Sequence, residues 1–189
     1  RMIPNLVLLA PANDVEMKLA LEFALNNKTP VAIRYPKDNI PDDNQVPSAC
    51  TKPFEEGKSV TVKTHKDSNI DIVAYGSMLT QALEAEEILA KEGIHANVIN
   101  ARFAAPIDDK IIHLIKQGKK IITVEDHTIE CGFGSAILEL AVMHNQAVKN
   151  IKILGTPRRF IGHDLRNSQI SSTGISTEKI VEAARELAR

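Results

Sequence analysis

Residues 120–139 read KIITVEDHTIECGFGSAILE. Ile121, Ile122, Thr123 and Val124 form a β-branched and apolar run, the composition of a buried strand. Glu125 and Asp126 end it, and a polar turn follows. Gly132-Phe133-Gly134-Ser135 then opens a segment in which Ala136, Ile137, Leu140, Ala141 and Met143 fall on helical spacing. The unit is strand, loop, helix, with polar and glycine residues gathered where the strand ends. In open α/β sheets that edge is where ligands and partner surfaces collect.

Working outward, the unit repeats. Strands are expected at 70–75, 96–99, 121–124 and 151–154, alternating with helices at 80–92, 108–116 and 133–144. Residues 59–64 alternate Val60 and Val62 with polar neighbours, as an edge strand does. Four strands interleaved with three helices predict an α/β fold whose parallel sheet is covered on both faces. After Gly155 the pattern is irregular until Ser176 opens a last helix, 177–188, with Glu178 well placed in its first turn.

Upstream, residues 6–10 are an apolar run closed by Pro11. Asn13 or Asp14 can cap a helix whose stripe is Val15, Leu19, Phe23 and Leu25, and Asn26-Asn27 stops it. A second strand, 31–35, ends at Pro36. A βαβ unit needs a parallel sheet, and residues 1–37 supply too few strands to build one. With strand sequence beginning so soon after Arg1, the expectation is a piece of a larger domain. Residues 38–56, with Pro41, Pro47 and Pro53 and no apolar period, read as a linker. Residues 57–189 are the second domain.

Bulk properties exclude several classes. Net charge is −1 with no basic run, which argues against a nucleic-acid footprint. No apolar run approaches the roughly 20 residues that span a bilayer, and no signal-peptide pattern opens the chain. Cys50 and Cys131 stand in unrelated contexts and suggest no disulfide framework. A reducing cytoplasm is expected.

Arg34 is the most informative single residue. It lies at the carboxyl end of a strand, in VAIRYPK, with Lys37 three residues on. A guanidinium there can grip a phosphate through two parallel hydrogen bonds, although strand-end charges also serve commonly as surface ion pairs. Glu125, Asp126, His127 and Cys131 form a polar cluster whose spacing matches no closed zinc pattern. A Cys131–His127 nucleophile pair lacks an orienting third group in the pattern. A polar loop at a sheet edge, packing on another subunit, is the simpler expectation. The 132–135 segment could cradle an anion on free N–H groups, but it is neither GxGxxG nor a P-loop, and close packing of helix on strand is favoured. The loop from Gly155 to His163, GTPRRFIGH, sets Arg158 and Arg159 beside Phe160. Basic pairs beside an aromatic can bind phosphates, but a solvated loop is the commoner outcome.

Five stretches taken in order, IPNLVLLAPANDVE, TPVAIRYPKDN, VINARFAAPID, TVEDHTIECGFGSAILE and GTPRRFIGHD, resemble the C-terminal portion of the 1-deoxy-D-xylulose-5-phosphate synthase family. These are transketolase-like enzymes dependent on thiamine diphosphate. The resemblance implies that residues 1–37 are the tail of a pyrimidine-binding domain. It makes 57–189 a three-layer α/β/α transketolase C-terminal domain, mostly parallel with one antiparallel edge strand. It implies condensation of pyruvate with D-glyceraldehyde 3-phosphate to 1-deoxy-D-xylulose 5-phosphate and carbon dioxide. That product feeds non-mevalonate isoprenoid, thiamine and pyridoxol synthesis. It also implies Mg2+ as a cofactor and a homodimer, with Arg34 on the acceptor's phosphate and Lys37 as a lesser candidate.

The chain departs from the family pattern at several positions. Lys37 stands where a second arginine is usual, Asp38 where glycine is usual, Cys131 in place of the first glycine of a Gly-Gly pair, and Arg158 for an acidic residue. The family's cofactor-activating glutamate, its catalytic histidines and its GDG motif lie upstream of the matched stretches, and no GDG occurs here. These residues alone are therefore expected neither to bind thiamine diphosphate nor to catalyse. Two alternatives stand beside this reading. One is a non-catalytic dimerisation or regulatory module. The other is the C-terminal part of a transketolase or a 2-oxoacid dehydrogenase β chain.

Overall fold

A computed structural model describes residues 1–37 and 47–189. The first nine residues of the expected linker, 38–46, lie outside the described residues. Its remainder contains a 3-10 turn, Ser48–Thr51, that buries Cys50.

Two sheets make up the molecule. The larger has five strands: β3 (Val60–Lys63), β4 (Ile70–Tyr75), β5 (Ala96–Asn100), β7 (Lys120–Thr128) and β8 (Ile151–Thr156), in the order β3-β5-β4-β7-β8. All neighbours are parallel except β3, which runs antiparallel to β5 at the edge. The predicted fold class and its edge strand are both present. Every residue of β4 is buried, and its side chains alternate between two cores. Ile70, Ile72 and Ala74 pack with α2 (Leu79–Lys91) and α6 (Thr177–Ala188). Val73 and Tyr75 pack with α3 (Asp109–Lys116) and α4 (Phe133–Met143) on the opposite face. A central strand buried on both sides explains why its sequence is a continuous apolar run interrupted only by Asp71.

The smaller sheet has the order β2-β1-β6. Here β1 (Val7–Leu9) and β2 (Val31–Ile33) are parallel strands joined by α1 (Asp14–Asn26), which Asn13 caps by accepting from the Glu16 N–H. The third strand, β6 (Phe103–Ala105), runs antiparallel to β1 and was not foreseen. It is only three residues long and begins just after β5 ends, so no periodicity marks it. Phe23, Phe54 and Phe103 meet edge to face or tilted beneath this sheet, with centroids 5.6–6.4 Å apart. The small sheet thus joins the first 37 residues to the stretch assigned to the second domain.

Two further differences concern length and polarity. β7 continues through Glu125, Asp126 and His127 to Thr128, beyond the expected stop at Val124, because Thr128 still pairs with Thr156. The region after Gly155 contains α5 (Arg166–Thr173), sequence RNSQISST, which ends at Gly174 in the left-handed region. It buries only Ile170 and Thr173 and so carries no apolar stripe to read.

Candidate functional site

The small sheet sits against the carboxyl edge of the large one. Gly76, at φ +63°, turns the chain out of β4, and a Cβ there would lie 2.8 Å from the Ala10 Cβ. Only glycine allows that approach. The Ala10 N–H donates to the Arg102 carbonyl and the Arg34 N–H to the Leu9 carbonyl, both at 2.9 Å. Arg34 is thereby anchored at the end of β2, half-buried. Its charge reaches Tyr75, Glu125 and His127 at the ends of β4 and β7.

Burial is the largest influence on all three groups. Burial drives the Tyr75 hydroxyl well above its ordinary range, with Arg34 opposing. Burial also raises the Glu125 carboxyl, against the Gly134 and Phe133 N–H groups and the charges of Arg34 and Arg1. His127 is lowered by burial and then by Arg34. Its Nδ1 lies 3.3 Å from the Thr128 carbonyl and 3.9 Å from Glu125.

Glu125 settles how the glycine segment is used. Its carboxylate accepts from the Phe133 N–H at 2.7 Å and the Gly134 N–H at 2.8 Å, so the N-terminus of α4 already holds an anion of the protein itself. A Cβ on Gly132 would fall 2.4 Å from that carboxylate, and one on Gly134 would fall 2.6 Å from Thr123 Oγ1 and 2.9 Å from Ile153. Close packing accounts for these glycines. Cys131 is exposed and left-handed, at φ +59°, the position where the resembled family has glycine. Its carbonyl accepts from Arg1, whose guanidinium also reaches Ser135 and Glu139. No described hydrogen bond joins Cys131 to His127. Among the described residues, no three His, Cys, Asp or Glu side chains are grouped to hold a metal.

Asp126 turns the other way. It accepts from Arg166 of α5 at 2.5 Å, and Arg166 also donates to Ser77 at 2.9 Å. This pair stands beside a cavity of about 670 Å³ between α1, the end of β2, the start of α2 and α5. Lys37 is exposed and lines this cavity, whereas Arg34 does not. In the 155–163 loop, Arg158 pairs with Glu130 at the surface and Phe160 is fully exposed.

Sequence reasoning passed over one arrangement entirely. Arg102, 1% exposed, donates through Nε to Glu16 at 2.7 Å and through its terminal nitrogens to the Pro53, Lys52 and Cys50 carbonyls. It lies 4.2 Å over the Phe54 ring. Asn100 also donates to Glu16. Burial pushes the neighbouring Cys50 thiol up to about 12. The available signal was an arginine and an asparagine inside an otherwise apolar strand and turn, VINARFAA.

Comparison with known proteins agrees with this architecture. Residues 57–180 match the family model for the transketolase C-terminal domain. The chain is similar to the 1-deoxy-D-xylulose-5-phosphate synthases of Halothermothrix orenii (39% identical over 99% of this chain) and Rhodopirellula baltica (38% over 100%). That of Heliobacterium modesticaldum is 36% identical over 100% of the chain. The chain spans 28–29% of the length of these relatives. Among solved structures, a split-gene transketolase described as an inactive β4 tetramer superposes with a TM-score of 0.86 at 25% identity, over 99% of this chain and 59% of that one. A Pichia stipitis transketolase in complex with sedoheptulose 7-phosphate shares the fold at a TM-score of 0.72 and 19% identity, over 100% of this chain and 26% of that one.

Proposed function

The chain belongs to the transketolase C-terminal domain family, and we propose that it is the C-terminal part of a 1-deoxy-D-xylulose-5-phosphate synthase. The observation that carries this reading is the end-to-end alignment with synthases of that name at 36–39% identity. Residues 1–37 are the tail of the pyrimidine-binding domain and 57–189 the C-terminal domain. The whole enzyme joins a two-carbon unit from pyruvate to D-glyceraldehyde 3-phosphate and releases carbon dioxide. It works as a homodimer in the cytoplasm with thiamine diphosphate and Mg2+.

Arg34 receives the acceptor's phosphate, and Lys37 adds positive charge nearby. Support comes from Arg34 standing half-buried at the end of β2, its N–H on the Leu9 carbonyl and its charge felt at Tyr75, Glu125 and His127, where a charge-assisted pair is stronger than in open water.

The described residues do not fit the cofactor. Glu125 fills the N-terminus of α4, a Cβ-sized space at Gly132 and Gly134 is already occupied, and among the described residues no three His, Cys, Asp or Glu side chains are grouped to hold a metal ion. We infer that thiamine diphosphate is held by parts of the enzyme outside these residues.

One observation favours a second reading, a separately encoded subunit that is inactive by itself. It is the superposition on the split-gene transketolase chain described as an inactive β4 tetramer. A single assay serves both readings. The complete enzyme carrying this chain should convert pyruvate and D-glyceraldehyde 3-phosphate, and should prefer them to ketose phosphates or lipoyl acceptors. Preference for a ketose phosphate would overturn the assignment in favour of a transketolase.

A further inference from the structure

Past Val124, the side chains of β7 are polar and alternate in direction, as a strand requires. Glu125 reaches the start of α4, Asp126 reaches Arg166 of α5, and His127 returns to the Glu125 side, with Nδ1 3.9 Å from that carboxylate. Arg34 acts on this same side, since its charge is felt at Tyr75, Glu125 and His127 alike. Tyr75 is buried, and Glu125 is buried and already occupied by the Phe133 and Gly134 N–H groups. The His127 side chain is 42% exposed, so of the three it alone can meet a molecule arriving from solvent.

The imidazole is also held in one sense. Its Nδ1 faces the Thr128 carbonyl at 3.3 Å and the Glu125 carboxylate beyond, both acceptors, so the ring proton belongs on Nδ1. Nε2 keeps its lone pair and takes part in no described hydrogen bond. Burial and the charge of Arg34 lower His127, which keeps the ring neutral and Nε2 an acceptor.

We infer that His127 reads a hydroxyl of the acceptor: with the phosphate of D-glyceraldehyde 3-phosphate on Arg34, the C2 hydroxyl, on the carbon next to the one bearing the phosphate, donates to His127 Nε2. The inference rests on the synthase reading and on the role given to Arg34. A phosphate oxygen would meet an acceptor at Nε2, not a donor, so His127 belongs to the hydroxyl and is not a further phosphate contact.

The test compares kcat/KM for D-glyceraldehyde 3-phosphate and for its analogue without the C2 hydroxyl, 3-oxopropyl phosphate, in the complete enzyme carrying this chain. The parent should favour the hydroxylated acceptor ~tenfold or more, the typical effect of one hydrogen bond. His127→Ala should fall ~tenfold on D-glyceraldehyde 3-phosphate alone and so lose the preference, and His127→Gln, which keeps an acceptor at similar reach, should recover part of it. A merely structural role would lower both acceptors together. Equal loss on both, or a preference retained in His127→Ala, would overturn the inference. If His127→Ala fails to fold, the parent decides, because indifference to the C2 hydroxyl overturns the inference by itself. The synthase reading fails separately, if the parent converts neither aldehyde with pyruvate.

Discussion

The Arg102 guanidinium holds the Glu16 carboxylate at 2.7 Å across 86 residues of sequence, and both side chains are essentially inaccessible to water. Three parts of the chain meet at this pair: α1, the 50–54 stretch through its carbonyls, and the turn between β5 and β6. Removing one partner leaves an uncompensated buried charge, which typically costs ~3–5 kcal/mol. Glu16→Ala is therefore expected to lower the unfolding free energy by about that amount in urea titrations, and Glu16→Gln by less, since it keeps an acceptor for Asn100. A loss below ~1 kcal/mol for Glu16→Ala would show that the pair is dispensable.

Much of the fold was legible because period and composition agreed. The 70–75 and 121–124 runs, the alternation at Val60 and Val62, and the cap at Asn13 all appear where expected. What escaped has physical causes. β6 is too short to show a period, α5 buries almost no apolar surface, and Glu125–Thr128 extends a strand with polar residues. Glu16 and Arg102 sit far apart in sequence, so only the fold brings them together. Arg34 could be placed at a strand end by sequence, but its proximity to Tyr75, Glu125 and His127 could not.

Packing of α4 on the large sheet leaves no room for a methyl group at Gly134. Gly134→Ala would press on Thr123 and Ile153 and is expected to destabilise by ~1–3 kcal/mol. Gly162→Ala, with nothing within 4 Å, should stay within about 0.5 kcal/mol of the parent and serves as the control. Equal melting temperatures for the two variants would refute the close-packing account of the glycine segment.

Asp108 and Glu125 should shape the pH dependence of stability in opposite directions. For Asp108, burial opposes ionisation but is outweighed by the Ser59 hydroxyl and the Lys110 and Ser59 N–H groups, so its folded-state value lies below the usual 3.8. Its contribution is present above pH 3.8 and is lost as pH falls through the folded value. The deficit of Asp108→Asn should accordingly shrink in acid. For Glu125, burial raises the folded-state value above 4.5, so its favourable contribution is full below pH 4.5 and is lost as pH rises through the folded value. Relative to Glu125→Gln, the parent should gain stability as pH falls across that window. Parallel stability–pH curves for parent and variants would contradict both assignments.

Isothermal titration of thiamine diphosphate with Mg2+ into the 189-residue chain should show no binding, because the described residues offer neither a free helix N-terminus at α4 nor a carboxylate grouping for the metal. Magnesium-dependent heat at micromolar cofactor would overturn the assignment of the cofactor to other parts of the enzyme.

The most direct measurement is steady-state kinetics of Arg34→Ala in the complete enzyme. Loss of a charge-assisted contact of ~1.5–3 kcal/mol predicts a KM for D-glyceraldehyde 3-phosphate raised roughly ten- to a hundred-fold, with the KM for pyruvate unchanged. An unchanged KM for D-glyceraldehyde 3-phosphate would contradict the account, because Arg34 would then be a structural charge and not the acceptor's phosphate site.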